Sequence, residues 1–244
     1  MGLDSSGNTN NFTVNGTLTQ TIDSPSNVYA TLNPLAIGSS TSGVTYSNGN
    51  TTFASSNTGG VYPYCFSTLA MNTGKWYAEF KNTGVGGTFG ISDGTGTASY
   101  FGGGSSHWGY YSLGDLFLGG VQTGNLGTIA TNDIVMVAVD LDNNYIYWGR
   151  NGTWLNSGDP TSGATGTGGY SLTATSSLST GVYHFTLGDT NGAGTPTINS
   201  NFGNGYFGTT AVASAGSNGN GSIFEYDVPT GYYALNTKNL ATYG

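Results

Sequence analysis

Apolar residues fall in short runs separated by glycine, asparagine, serine and threonine, and the clearest run spans Ile134 to Pro160, IVMVAVDLDNNYIYWGRNGTWLNSGDP. Ile134 to Val139 is continuous, apolar and rich in β-branched residues, and Tyr145 to Trp148 is aromatic and β-branched. Asp142, Asn143 and Asn144 between them are turn formers, so the segment predicts two paired strands. Asn151-Gly152 marks a second turn, because both residue types tolerate positive φ. A first strand with no polar alternation implies burial on both faces, as at the centre of a two-layer sandwich.

The same pattern predicts further strands at Thr51 to Ala54, Tyr64 to Ala70, Lys75 to Lys81, Thr88 to Ser92, His107 to Leu113, Asp115 to Gly119, Val182 to Leu187 and Thr197 to Phe202. Together with Ile134 to Leu141 and Tyr145 to Gly149 they give an all-β chain, a two-sheet antiparallel sandwich with extended N- and C-terminal arms. The breaks at 93–106, 159–180 and 206–222 are long, which makes them the first places to seek a binding surface. Ile223 to Leu235 reads as strand-like around a Pro-Thr-Gly turn, and Asn236 to Gly244 as a polar tail. No helix of three turns is expected. The expected organisation is an arm and lead-in strand over 1–35, the sandwich over 36–228, and a strand and tail over 229–244.

Composition supports an ordered core. Charged residues are only 7%, while 17 Tyr, 11 Phe and 4 Trp supply large surfaces to bury, each contributing about 1.5–3 kcal/mol when fully removed from water. Four basic residues against 12 acids leave a net charge of −8. Four scattered cations cannot neutralise a run of phosphates, so nucleic acid is a poor partner. Cys65 is the single cysteine, which excludes an intrachain disulfide and reads as a small buried apolar residue. No stretch approaches 18 apolar residues, so no membrane insertion is expected, and no basic-then-apolar leader opens the chain.

Five blocks then carry a resemblance. GKWYAEF (Gly74 to Phe80), FGISD (Phe89 to Asp93), VAVDLDNNYIYWGRNGTWLNSGDP (Val137 to Pro160), YHFTLGD (Tyr183 to Asp189) and NFG (Asn201 to Gly203) occur in the order seen in SPRY domains. The resemblance implies a bent, concanavalin-like two-sheet sandwich, with Trp76 in the core and Gly90 at a close approach of strands. DSSGNTNNFTV (Asp4 to Val14), DSPSNVYATLNPL (Asp23 to Leu35) and VPTGYYALNTKNL (Val228 to Leu240) resemble the flanks of SPRY-like domains in structural proteins of tailed bacteriophages, especially marine ones. Similar phage sequences often carry a further lectin-like domain before the DSSGN segment. The start of this chain near that junction implies a compact, single-domain version, or a product whose neighbouring genes supply the rest. The run Tyr206 to Ser222 departs from the phage pattern, in which NFG leads to PTG after a short spacer.

Candidate chemistry is thin. A glycan hydrolase needs two carboxylates about 5–9.5 Å apart across a cleft, whereas Glu79 and Glu225 stand alone, and Glu79 beside Trp76 and Phe80 reads as a solvent-facing strand position. His107 and His184 are too few for a histidine metal site and read as structural or surface groups. Asp140, Asp142 and Asn143 have oxygen donors at close spacing but lack the glycine and terminal glutamate of a calcium loop, and read as turn formers. No cofactor or metal is expected. The better candidates are aromatic: Tyr100, Phe101, His107, Trp108 and Tyr110 cluster on a Gly-rich loop and the strand after it, and Trp154 after the Asn151-Gly152 turn joins them as candidate ligand-binding residues. Sugar rings stack on exposed Trp and Tyr faces, and core packing is the competing reading of each of these residues.

The expectation is a non-enzymatic virion structural protein, a fibre, appendage or capsid-decorating subunit, on the virion exterior and extracellular after lysis. Its partners would be other virion proteins, further copies of itself and a host surface glycan. The alternative is a free-standing carbohydrate-binding module or bacterial surface adhesin.

Overall fold

The computed structural model describes residues 22–39, 42–57, 60, 62–189 and 194–244, with isolated positions 6–8, 10, 11, 13 and 15 before them. Residues 1–5, 9, 12, 14 and 16–21 of the expected N-terminal arm therefore lie outside the described residues. Along the chain run β1 (Leu32–Gly38), β2 (Val44–Ser47), β3 (Thr52–Ser55), β4 (Tyr64–Ser67), β5 (Lys75–Asn82) and β6 (Gly87–Ser92). Then come β7 (His107–Tyr111), β8 (Asp115–Leu118), β9 (Val121–Asn125), β10 (Ile134–Asp140), β11 (Tyr145–Arg150) and β12 (Thr153–Trp154). The chain closes with β13 (Tyr170–Ser171), β14 (His184–Asp189), β15 (Thr197–Asn201), β16 (Tyr206–Phe207), β17 (Thr210–Ala211), β18 (Tyr233–Ala234) and α1 (Thr237–Tyr243).

Each segment expected as a strand holds one. They assemble into two antiparallel sheets, one ordered β1-β4-β14-β6-β7-β8-β9 and the other β12-β11-β10-β5-β15-β3-β2, with β18 added parallel to β5 and β13 antiparallel to β11. The hairpin of β10 and β11 pairs Val137 with Trp148 and Asp140 with Tyr145. Its turn places Asn144 at φ 60°, and the next turn places Asn151 at φ 48° and Gly152 at φ 81°, the left-handed region that asparagine and glycine tolerate. Asp140 holds the first turn by accepting from the backbone and side-chain nitrogens of Asn143. Gly90 is the close approach: a Cβ there would lie 1.9 Å from the carbonyl oxygen of Trp108 on β7.

The period-2 alternation of strands sends successive side chains to opposite faces. Trp76, Ala78 and Phe80 of β5, Val135, Val137 and Val139 of β10, and Ile146 and Trp148 of β11 point into the sandwich. There they meet Phe89 and Ile91 of β6, Trp108 and Tyr110 of β7, and Phe185 and Leu187 of β14. Cys65 joins this core fully buried, and burial pushes its thiol pKa up.

The opposite face of the second sheet is covered as well. Tyr77 of β5, Met136 and Ala138 of β10 and Tyr147 of β11 pack under Phe224, Val228, Tyr232 and Ala234 of the C-terminal segment, and under Tyr29 of the lead-in. The doubly buried β10 is thus part of a sandwich with a third, partly irregular layer outside it. On the first sheet the loop before β7 plays the same part, placing Phe101 against Tyr64 and Phe66.

Three expectations change at this point. Ile223 to Leu235 is mostly irregular, with only Tyr233–Ala234 in a strand, although the Pro-Thr-Gly turn is present (Tyr232 N to Pro229 O, 3.0 Å). Asn236 to Gly244 is α1 and its caps: the Asn236 side chain accepts from the Asn239 N–H, and Tyr243 stacks on Tyr233 with ring centroids 3.7 Å apart. β9 escaped the pattern because all five of its residues are exposed and carry no apolar alternation.

Candidate functional site

Glu79 is buried, where the sequence pattern pointed it at water. It lies on the outward face of β5, and the third layer closes over it. Its Oε1 accepts from the Tyr77 hydroxyl (2.9 Å) and the Tyr226 N–H (2.9 Å), and its Oε2 from the Glu225 N–H (2.8 Å) and the Asn201 amide (3.4 Å). Burial raises its pKa to about 7, against the pull of the hydrogen bonds from Glu225, Tyr226 and Tyr77. The carboxylate fastens the covering segment to the sheet.

His107 performs a similar task on the first sheet. Its Nδ1 accepts the Gly102 N–H (3.1 Å) of the covering loop, and burial lowers its pKa to about 4. A protonated imidazole would turn an N–H toward that N–H. His184, also shifted down by burial, meets the Ser67 carbonyl through Nδ1 at 2.9 Å. Asp93 nearby accepts from Ser106 (2.7 Å) and from the backbone and hydroxyl of Thr95. Asp140 is fully buried and pairs with Lys75 at 2.8 Å. Among the described residues, no three His, Cys, Asp or Glu side chains are grouped to hold a metal ion.

The expected aromatic cluster separates. Phe101, His107, Trp108 and Tyr110 are all buried, at 3% exposure or less. Trp108 and Tyr110 face the sandwich interior, with the Trp108 indole donating to Ser171 O (2.9 Å) and its ring edge-on to Tyr183. Phe101 and His107 pack with Tyr64 under the covering loop. Their ring faces are engaged by protein, which corrects the expectation that a ligand stacks on them. Tyr100 is half-buried, edge-on to Tyr62 and Phe117.

Trp154 belongs to a different part of the molecule. It sits on the edge strand β12 of the second sheet, half-buried, with its ring edge-on to Tyr77 at 6.4 Å between centroids. Hollows open on two sides of it. One, of about 300 Å³, is lined by Trp154, Gly216, Glu225, Tyr226 and Asp227. The other, of about 340 Å³, is lined by Trp154, Asp159, Thr161, Asn218, Asp227 and Thr230. Trp154 and Asp227 are common to both.

The run 206–222, which departs from the phage pattern, builds one wall. It returns along 224–228: Gly216 N donates to Phe224 O (2.9 Å), Val228 N to Ser217 O (3.0 Å), and the Asn218 amide to Val228 O (3.1 Å). Ala213 N donates to Glu225 Oε2 and Ser217 N to Asp227 Oδ1, both at 2.6 Å. The hydrogen bonds from Ser217 hold the Asp227 carboxyl below the usual range. The floor needs Gly152, since a Cβ there would come within 2.9 Å of the Tyr226 ring. Trp154 was legible as a candidate from its place after a turn. Glu225, Asp227 and Asn218 were not, because their convergence depends on the path of an irregular segment.

No protein-family model matches the chain, and no curated protein does. Among solved structures the chain is similar to the SPRY domain of human HERC1, at 14% identity and a TM-score of 0.54, over 69% of this chain and 96% of that one. The likeness shows a SPRY-like β-sandwich. The resemblance of the chain ends to phage proteins rests on the sequence alone.

Proposed function

We propose that this protein is a non-enzymatic recognition and assembly module, a SPRY-like sandwich serving as a fibre, appendage or capsid-decorating subunit of a tailed phage. The observation that carries the non-enzymatic part is the engagement of Glu79. The one glutamate set in an apolar surrounding receives donors on both oxygens and closes a structural layer, so it has no lone pair turned to a substrate. The fold supports recognition, and the flanking blocks support the particle. The loops would contact neighbouring copies, other virion proteins or host-surface glycan.

Mass spectrometry and immuno-electron microscopy of purified particles test the role: the protein is expected on the particle exterior in regular copy number. Its absence from particles made in cells that express it would overturn the virion reading. The second reading, a free-standing carbohydrate-binding module, is favoured by the groove at Trp154 and predicts glycan binding by protein that never joins a particle.

A further inference from the structure

We infer that the groove centred on Trp154 binds a neutral, hydroxyl-rich sugar chain, and that the segment 213–230 is the specificity wall of that site. This deepens the recognition half of the proposed function and is independent of the particle.

Trp154 stands apart from the other three tryptophans. The indole N–H of Trp76 donates to Thr73 O, that of Trp108 to Ser171 O, and that of Trp148 to Phe89 O. The Trp154 N–H has no acceptor among the described residues, and its ring is only half-buried. The edge contact with Tyr77 and the rigid β11–β12 turn hold the ring in place before any ligand arrives, so little ordering entropy remains to be lost on binding.

The polar lining matches hydroxyl groups. Asp227 Oδ1, Glu225 Oε2 and Asp159 Oδ1 are each engaged by their own loop, the last by the Thr161 N–H at 2.9 Å and its hydroxyl at 2.6 Å. The second oxygens of Glu225 and Asp159 have no hydrogen-bond partner among the described residues, and the Asp227 carboxylate, held by Ser217, is exposed between the two hollows. A pyranose lays its C–H face on an indole and turns a rim of hydroxyls outward, each able to donate to such an oxygen and to accept from a threonine or indole donor. Hollows on two sides of Trp154, sharing Asp227, suit a chain of two or more sugars crossing the ring.

Charge selects among sugars. Three carboxylates and a chain net charge of −8 repel sialylated, sulfated or uronic glycans. A lysine-rich peptide would gain only about 0–1 kcal/mol per exposed ion pair. It would also offer no side-chain acceptor to the indole N–H or to the hydroxyl of Thr230.

The test is a glycan array carrying neutral, amino and acidic oligosaccharides, read with the purified full chain, with an oligolysine peptide assayed in parallel. Neutral oligosaccharides are expected to bind, to weaken by about tenfold or more in Trp154→Ala, and to be largely retained in Trp154→Phe, which keeps a stacking face. Should Trp154→Ala fail to fold, indole N–H resonances of the unmodified protein serve instead: on adding the best array glycan one of the four moves, and Trp154→Phe removes that one. No binding of neutral glycans, binding indifferent to Trp154→Ala, or capture of oligolysine in their place would overturn the inference. Cleavage of a bound glycan would support the groove and overturn the non-enzymatic reading. Failure of binding leaves the particle role to its own test.

Discussion

The two faces of the second sheet are held by different physics. Inward, β5, β10 and β11 present Trp76, Ala78, Phe80, Val135, Val137, Val139, Ile146 and Trp148, and contact is made mainly by apolar area, with the Trp148 indole also donating to Phe89 O across the sandwich. Outward, the same strands present Tyr77, Glu79, Met136, Ala138, Asp140, Tyr145 and Tyr147, and the cover is fixed at a few polar points. The first sheet repeats the arrangement, with His107 accepting from the loop that covers it. Apolar packing tolerates small shifts because it is non-directional, whereas a carboxylate accepting two successive backbone N–H groups sets where the covering chain must lie. The outer layer therefore gains a defined path at Glu225 and Tyr226 without a strand there, and that path makes the groove.

The largest separation between the faces should come from Phe80→Ala, which empties a fully buried site touching Phe89, Phe185 and Phe202. A loss of about 3–5 kcal/mol in one cooperative transition is expected from urea unfolding. Glu79→Gln should lose about 2–4 kcal/mol, because the amide turns an NH₂ toward donors that previously met an oxygen. A Glu79→Gln protein as stable as the original would remove the distinction between the faces.

Acidity sharpens it further, because the two pins have opposite signs. The folded pKa of His107, about 4, lies below its ordinary 6.5, so the folded state binds fewer protons than the unfolded one between those values. Its contribution is complete above about pH 6.5 and lost as pH falls through 4. Glu79, raised from 4.5 to about 7, does the reverse: its contribution is complete below about pH 4.5 and lost as pH rises through 7. Each slope is at most about 1.4 kcal/mol per pH unit. Unfolding curves from pH 4 to 8 should show stability rising between about pH 4 and 6.5 in Glu79→Gln, where His107 titrates without the glutamate, and that rise largely offset in the original chain by the loss at Glu79 between about pH 4.5 and 7. Smallest of all, Asn236→Ala removes the cap of α1 and should cost about 1 kcal/mol by thermal unfolding.

The inner face was legible because it obeys period 2 and is built of β-branched and aromatic residues, so the strands from Lys75, Ile134 and Tyr145 could be placed within a residue or two. The outer cover was not. The alternation at Trp76-Tyr77-Ala78-Glu79 correctly sends Glu79 outward, but nothing local says that outward is still inside the protein, because its cover comes from Glu225 and Tyr226, far along the chain. Trp108 and Tyr110 misled for the converse reason: the Gly-rich stretch before them suggested a loop surface, yet β7 lies between β6 and β8 in the sheet. Trp154 follows a tight turn onto an edge strand, which leaves its ring partly uncovered. Its polar companions sit on a segment with no periodicity to read.

Hydrogen exchange at the amides of Glu225 and Tyr226 tests the pinned outer layer most directly. In the original chain both are expected to be protected, and in Glu79→Gln both are expected to exchange much faster while the amides of Val135 to Val139 on β10 keep their protection. Fast exchange of Glu225 and Tyr226 already in the original chain, or unchanged protection in the variant, would contradict it.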